Sequence, residues 1–140
     1  MLAEVVDLYN QMFRPRGDIG YFQRRFLGRR HVLSLLAKYE GRPVGFWVGY
    51  ELKPAMYYHW LGAVVPEFRR AGIARQLQEG QQAWARDHEY EYIRSECLNH
   101  QRHFIHFAID VGYDIVGMRW DSTHADNLII FEKSLHNLAP

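Results

Sequence analysis

The chain of 140 residues suits one domain with its own core, and 48% apolar with 15% aromatic content excludes a disordered chain. A net charge of +1 gives no polyelectrolyte partner a general hold, and the one cysteine, Cys97, excludes an internal disulfide framework and a thiolate zinc cluster. No run approaches the roughly 18 apolar residues of a membrane span, and Met1-Leu2-Ala3-Glu4 lacks the basic start of a secretory leader, so a cytoplasmic protein without a membrane partner is expected.

Leu2, Val5, Val6, Leu8, Tyr9 and Met12 recur at helical spacing and predict an opening helix that stops near Arg14-Pro15. Asp18 caps a second helix with Tyr21, Phe22, Arg25, Phe26 and Leu27 inward, ending near Gly28. Six of the fourteen arginines fall between Arg14 and Arg30. They form either a solvated helical face, the reading preferred here, or a contact for nucleic acid or an acidic substrate. His31 to Tyr39 reads as a strand, Glu40-Gly41 as a hairpin turn, and Val44 to Tyr50 as a second strand alternating with Gly45, Trp47 and Gly49. Met56 to Val65 is a third strand, dense in aromatic residues.

That strand delivers the chain to Pro66 and then to Arg69-x-x-Gly72-x-Ala74, which feeds a helix reaching about His88. The first turn of a helix carries N–H groups without intrahelical partners and the positive end of the dipole. Gly72 and Ala74 leave that backbone reachable, and Arg69, Arg70 and Arg75 add charge, so the stretch predicts an anion trap. The spacing matches neither the dinucleotide GxGxxG nor the P-loop, which points to a diphosphate of another kind. Tyr92 to Leu98 then returns as a strand parallel to the third. A last helix with Phe104, Ile105, Ala108 and Val111 inward stops at Gly112, and Val116–Trp120 with Leu128–Lys133 close the chain as a hairpin.

Arg69-x-x-Gly72-x-Ala74 after Val64-Val65-Pro66 resembles the [Q/R]-x-x-G-x-[G/A] acyl-CoA pattern of the GNAT N-acetyltransferase superfamily, in a short, single-domain, bacterial-type form. Asn99, Arg102 and Gly112-Tyr113 extend the resemblance, which covers about residues 2 to 135. It implies an α+β domain over residues 1–140, a mixed central sheet flanked by helices in α/β/α layers. The element order is α-α-β-β-β-α-β-α-β-β, without the family's first strand. The open sheet edge makes a homodimer an expectation.

The resemblance further implies an acyltransferase with acetyl-CoA as donor and a small-molecule or peptide amine as acceptor. The alternative is a non-catalytic acyl-CoA-binding module of the same fold. By resemblance, Arg70, Ala71, Gly72, Ile73, Ala74 and Arg75 hold the diphosphate with Arg69 at the mouth. Val64 and Val65 flank the pantetheine arm, Asn99 bonds that arm or caps the following helix, and Arg102 meets the outer phosphate. The family's usual tyrosine acid is replaced by Ala108, with His103 and His106 nearby, His106 standing as a catalytic candidate. The family's base positions are Tyr58 and Trp60 here. Glu51, acting through a water, and Tyr58 complete the candidates, while His59 faces the other side of its strand unless a bulge reverses the parity.

Overall fold

The computed structural model describes residues 1–136 and contains α1 (Leu2–Met12), α2 (Ile19–Phe26), β1 (Leu33–Tyr39), β2 (Arg42–Lys53), β3 (Met56–Val64), α3 (Ile73–Asp87), β4 (Tyr92–Leu98), α4 (Arg102–Asp110), β5 (Asp114–Asp121) and β6 (Asp126–Ser134). This is the order read from the sequence. The six strands form one sheet in the order β1-β2-β3-β4-β6-β5, parallel between β3 and β4 and antiparallel elsewhere.

Local chemistry sets the boundaries. Asp18 accepts the Tyr21 N–H at 2.7 Å and caps α2, a contact worth about 0.5–2 kcal/mol. Glu40 and Gly41 both take positive φ, 50° and 82°, the mirror-image turn whose twist suits a tight hairpin. Both faces of the sheet are covered near β2 and β3. Val5, Leu8 and Phe22 of α1 and α2 pack on Val44, Phe46 and Val48. On the other face Ala85 of α3, Ala108 of α4 and Val111 at the end of α4 pack on Tyr57, Ile93, Cys97 and Phe131.

Two irregularities shape the middle of the sheet. Val48 pairs with Leu61 but Gly49 pairs with His59, so Trp60 is an extra, bulged residue of β3. Tyr58 and Trp60 face α1 and α2. His59 stacks on Trp47 beneath α3 and α4, the side shared by Gly62 and Val64. An unbroken strand would have put His59 and Val64 on opposite faces. The bulge therefore brings His59 onto the face of Val64 while leaving it opposite Tyr58 and Trp60.

The second irregularity is that the parallel pairing of β3 with β4 runs only from Met56↔Tyr92 to His59↔Ser95. Beyond that the strands part, opening the sheet toward α3 and α4.

Gly62 lies in this opening because nothing larger fits. A Cβ there would stand 2.2 Å from the buried ring of Trp47. Gly62→Ala is therefore expected to cost about 1–3 kcal/mol, read as a lower midpoint in chemical denaturation with an unchanged slope.

Candidate functional site

The site is built around the start of α3. Gly72 is its N-cap at φ 80°, in the left-handed region that favours glycine, and no side chain caps the helix. The first intrahelical bond runs from the Gln76 N–H to the Gly72 carbonyl at 3.0 Å. The N–H groups of Ile73, Ala74 and Arg75 precede it and are left for a ligand. A Cβ on Gly72 would meet nothing within 4 Å, so the glycine answers to its φ and to the open space above it.

These residues line a cavity of about 930 Å³ that runs from the α3 start, past Val64 and Trp47, to the start of α4. Its polar groups are concentrated at the two helix starts. Its walls include Gly62, Phe104 and Phe107. Unpaired N–H groups beside arginines have the chemistry to hold an anion, and an apolar slot beside β3 leads away from them.

Of the residues singled out from the sequence, Val64, Arg69, Arg70, Gly72, Ile73, Ala74, Arg75 and Arg102 all line this cavity. Val64 and Val65 differ. The Val65 N–H is spent on the Val44 carbonyl at 2.9 Å, and Val65 is buried against the other face. Antiparallel alternation then turns the Val64 N–H and carbonyl away from β2 toward the gap. That carbonyl accepts the Arg69 Nε at 2.9 Å, so Arg69 is anchored to the strand end. Arg75 is paired with Asp110 at 2.8 Å.

Ala71, Asn99, Glu51, Tyr58 and His106 do not line the cavity. Asn99 is not the cap of α4. Gln101 is the residue at that boundary, its side chain accepting the Leu98 N–H at 2.7 Å, and it lines the cavity with His100 and His103. A helix beginning two residues later than an Asn99 cap implies puts Gln101 in the position expected for the asparagine. His103 faces the cavity, whereas His106, one turn on, is exposed on α4. Glu51 pairs with Tyr57 at the far end of the sheet, where it accepts the Tyr90 hydroxyl at 2.9 Å.

Tyr58 leads to a residue that the sequence reading missed. Its hydroxyl donates to Glu96 Oε1 at 3.0 Å across the β3–β4 boundary. Glu96 is the first residue of β4 beyond the last parallel pair, on the α1/α2 face. It is half-buried, and among the described residues it has no ionic partner. Burial first, then the Glu96 carboxylate, holds the Tyr58 phenol above its ordinary range, so Tyr58 stays a donor. The available signal was alternation: Ile93, Ser95 and Cys97 are the buried face of β4, which leaves Glu96 on the other face beside the gap.

On the opposite face His59 is buried, its Nδ1 has no protein partner, and burial lowers its imidazole to about 3. Between that value and the ordinary 6.5 the unfolded chain binds a proton that the native chain refuses, so stability falls as pH falls. The slope is about 1.4 kcal/mol per pH unit, or about 2 kcal/mol lost by pH 5. His59→Phe, which keeps a flat ring between Trp47 and Phe104, is expected to flatten the dependence of stability on pH between 4 and 6.5.

The family model described as the acetyltransferase (GNAT) family matches residues 2–113. The chain belongs to this family. The GNAT fold is shared with solved structures at low sequence identity. The ribosomal-protein-S18-alanine N-acetyltransferase of Escherichia coli superposes with a TM-score of 0.82 at 15% identity, covering 99% of this chain and 90% of that one. An aminoglycoside 6′-N-acetyltransferase complexed with coenzyme A gives 0.82 at 14%, covering 99% and 93%. A GNAT acetyltransferase from Elizabethkingia anophelis with acetyl-CoA bound gives 0.72 at 17%, covering 81% of each chain. No curated protein matches the chain significantly. Among the described residues no group of three His, Cys, Asp or Glu is placed to hold a metal ion, and no helix is long and apolar enough to cross a membrane.

Proposed function

We propose that this GNAT protein transfers acetyl from acetyl-CoA to a primary amine of a small molecule or peptide. The observation that carries the reading is the cavity that joins the unpartnered amides of Ile73, Ala74 and Arg75 to the start of α4 and is walled by Gly62 and Val64 of β3, the strand that stops pairing with β4 beyond His59. The residues present fit the donor. The α3 amides and Arg70 suit the diphosphate, Arg102 and Gln101 border the cavity opposite them, and the apolar walls suit the arm.

When bound, acetyl-CoA supplies a thioester carbonyl for attack by the amine. The Val64 N–H polarises the carbonyl oxygen, a role that its turn away from β2 supports. Glu96 accepts the proton that the attacking amine loses, and Tyr58 positions Glu96 through its hydrogen bond. Ala108 is fully buried in α4, so the protein offers no phenol there and solvent water protonates the departing sulfur.

Ala108 also favours the second reading, a module that binds acyl-CoA without turnover. Thiol release from acetyl-CoA, followed with a panel of amino acids, polyamines, aminoglycosides and peptides, separates the two. Amine-dependent release supports transfer, and binding without release on any acceptor supports the module.

A further inference from the structure

We infer that the acceptor carries an anionic group, carboxylate or phosphate, on the same molecule as its amine, and that Arg25 and Arg29 bind it. The inference rests on the transfer reading above and names its substrate class. Arg25 donates from Nε to the Tyr50 hydroxyl at 3.1 Å, and its guanidinium lies 4.9 Å from the centre of the Trp60 ring. The Arg29 guanidinium lies 4.7 Å from the centre of the Tyr50 ring. Stacking on aromatic faces holds both cations in place without neutralising them. Among the described residues neither forms an ion pair, and both are exposed.

The two arginines are connected to the reaction centre. The ring of Tyr50 is 5.5 Å from that of Tyr58, whose hydroxyl donates to Glu96. One row of contacts therefore runs along the α1/α2 face from Glu96 through Tyr58 and Tyr50 to Arg25 and Arg29. Its carboxylate end suits an ammonium, and its guanidinium end suits an anion that accepts paired N–H donors. A polyamine or aminoglycoside would meet two unneutralised cations here, whereas an amine that also carries an anion matches the sign of the charge at each end. The row begins where the strands part, which commits it to a small acceptor at the centre and not to a polyanion lying over the helix.

Matched pairs test this: phenylalanine against phenethylamine, and O-phosphoethanolamine against ethanolamine, with kcat/KM measured by thiol release for the wild type and an Arg25→Ala/Arg29→Ala variant. The wild type should prefer the anionic member of at least one pair by about 10–100-fold, as charge-assisted hydrogen bonds warrant. The favoured pair tells carboxylate from phosphate. In the variant the ratio should fall to near one, while stabilisation by acetyl-CoA persists and reports an intact fold.

Equal or better turnover of the neutral amines, or an unchanged ratio in the variant, overturns the inference and leaves the transfer reading standing. If no amine is turned over, tryptophan fluorescence decides. A saturable change with phenylalanine or O-phosphoethanolamine that the variant loses supports the anion site and counts against transfer; no change with either overturns the inference. Binding of an oligonucleotide through these arginines without discrimination within the pairs also overturns it.

Discussion

Glu96→Gln is expected to lower kcat by about 10²- to 10⁴-fold, the usual contribution of a positioned proton acceptor. The amide keeps the shape of the side chain and can still accept from the Tyr58 hydroxyl, so neither the fold nor acetyl-CoA binding should change. What is lost is a basic oxygen beside the gap between β3 and β4. Two companion measurements make the assignment specific. Raising the pH, which supplies more free amine from solution, should recover part of the lost rate in Glu96→Gln and less in the wild type. Tyr58→Phe removes only the hydrogen bond that positions Glu96 and should lower kcat by less than Glu96→Gln does. A Glu96→Gln enzyme with wild-type kcat on every acceptor would remove Glu96 from the chemistry.

The second large effect is on the donor. Gly72→Asp is expected to weaken acetyl-CoA binding by about 10- to 100-fold, equivalent to roughly 1.4–3 kcal/mol. Two causes must be separated. Any side chain at φ 80° is strained, though Asn and Asp tolerate the left-handed region better than other residues. Only Asp adds a negative charge beside amides that suit a diphosphate, and the space above Gly72 lets that carboxylate occupy the anion's position. Gly72→Asn is the control for shape and strain. The account predicts that Asn costs clearly less affinity than Asp, and that the gap between them narrows as salt screens the charge.

The helix start that lines the cavity was legible because its physics is local: a glycine, a small residue and three arginines declare themselves within seven positions. The order of elements was also legible, as were the hairpin turn at Glu40-Gly41 and the parallel return of β4. What the sequence hid depends on contacts between distant segments. Glu96 acquires its place because β3 and β4 stop pairing at Ser95, and no residue in either strand announces that point. Trp60 bulges out of register, which moves the residues after it to the opposite face and defeats counting backward from Arg69. Of the two readings of Asn99, the helix cap is set aside for a similar reason, because α4 begins at Arg102 and Gln101 takes the boundary. Glu51 was a candidate base through a water at the far end of its strand, and there the register pairs it with Tyr57 while its carboxylate accepts the Tyr90 hydroxyl.

The central claim, that the α3 start and its cavity bind acetyl-CoA, is tested most directly by titrating the protein with acetyl-CoA and measuring its stability. A saturable stabilisation of about 3 kcal/mol at a hundredfold excess over Kd is expected for a ligand bound only by the native state, with the titration shifted to higher ligand in Gly72→Asp. No stabilisation of the wild type at millimolar acetyl-CoA, or an identical titration in Gly72→Asp, would contradict it.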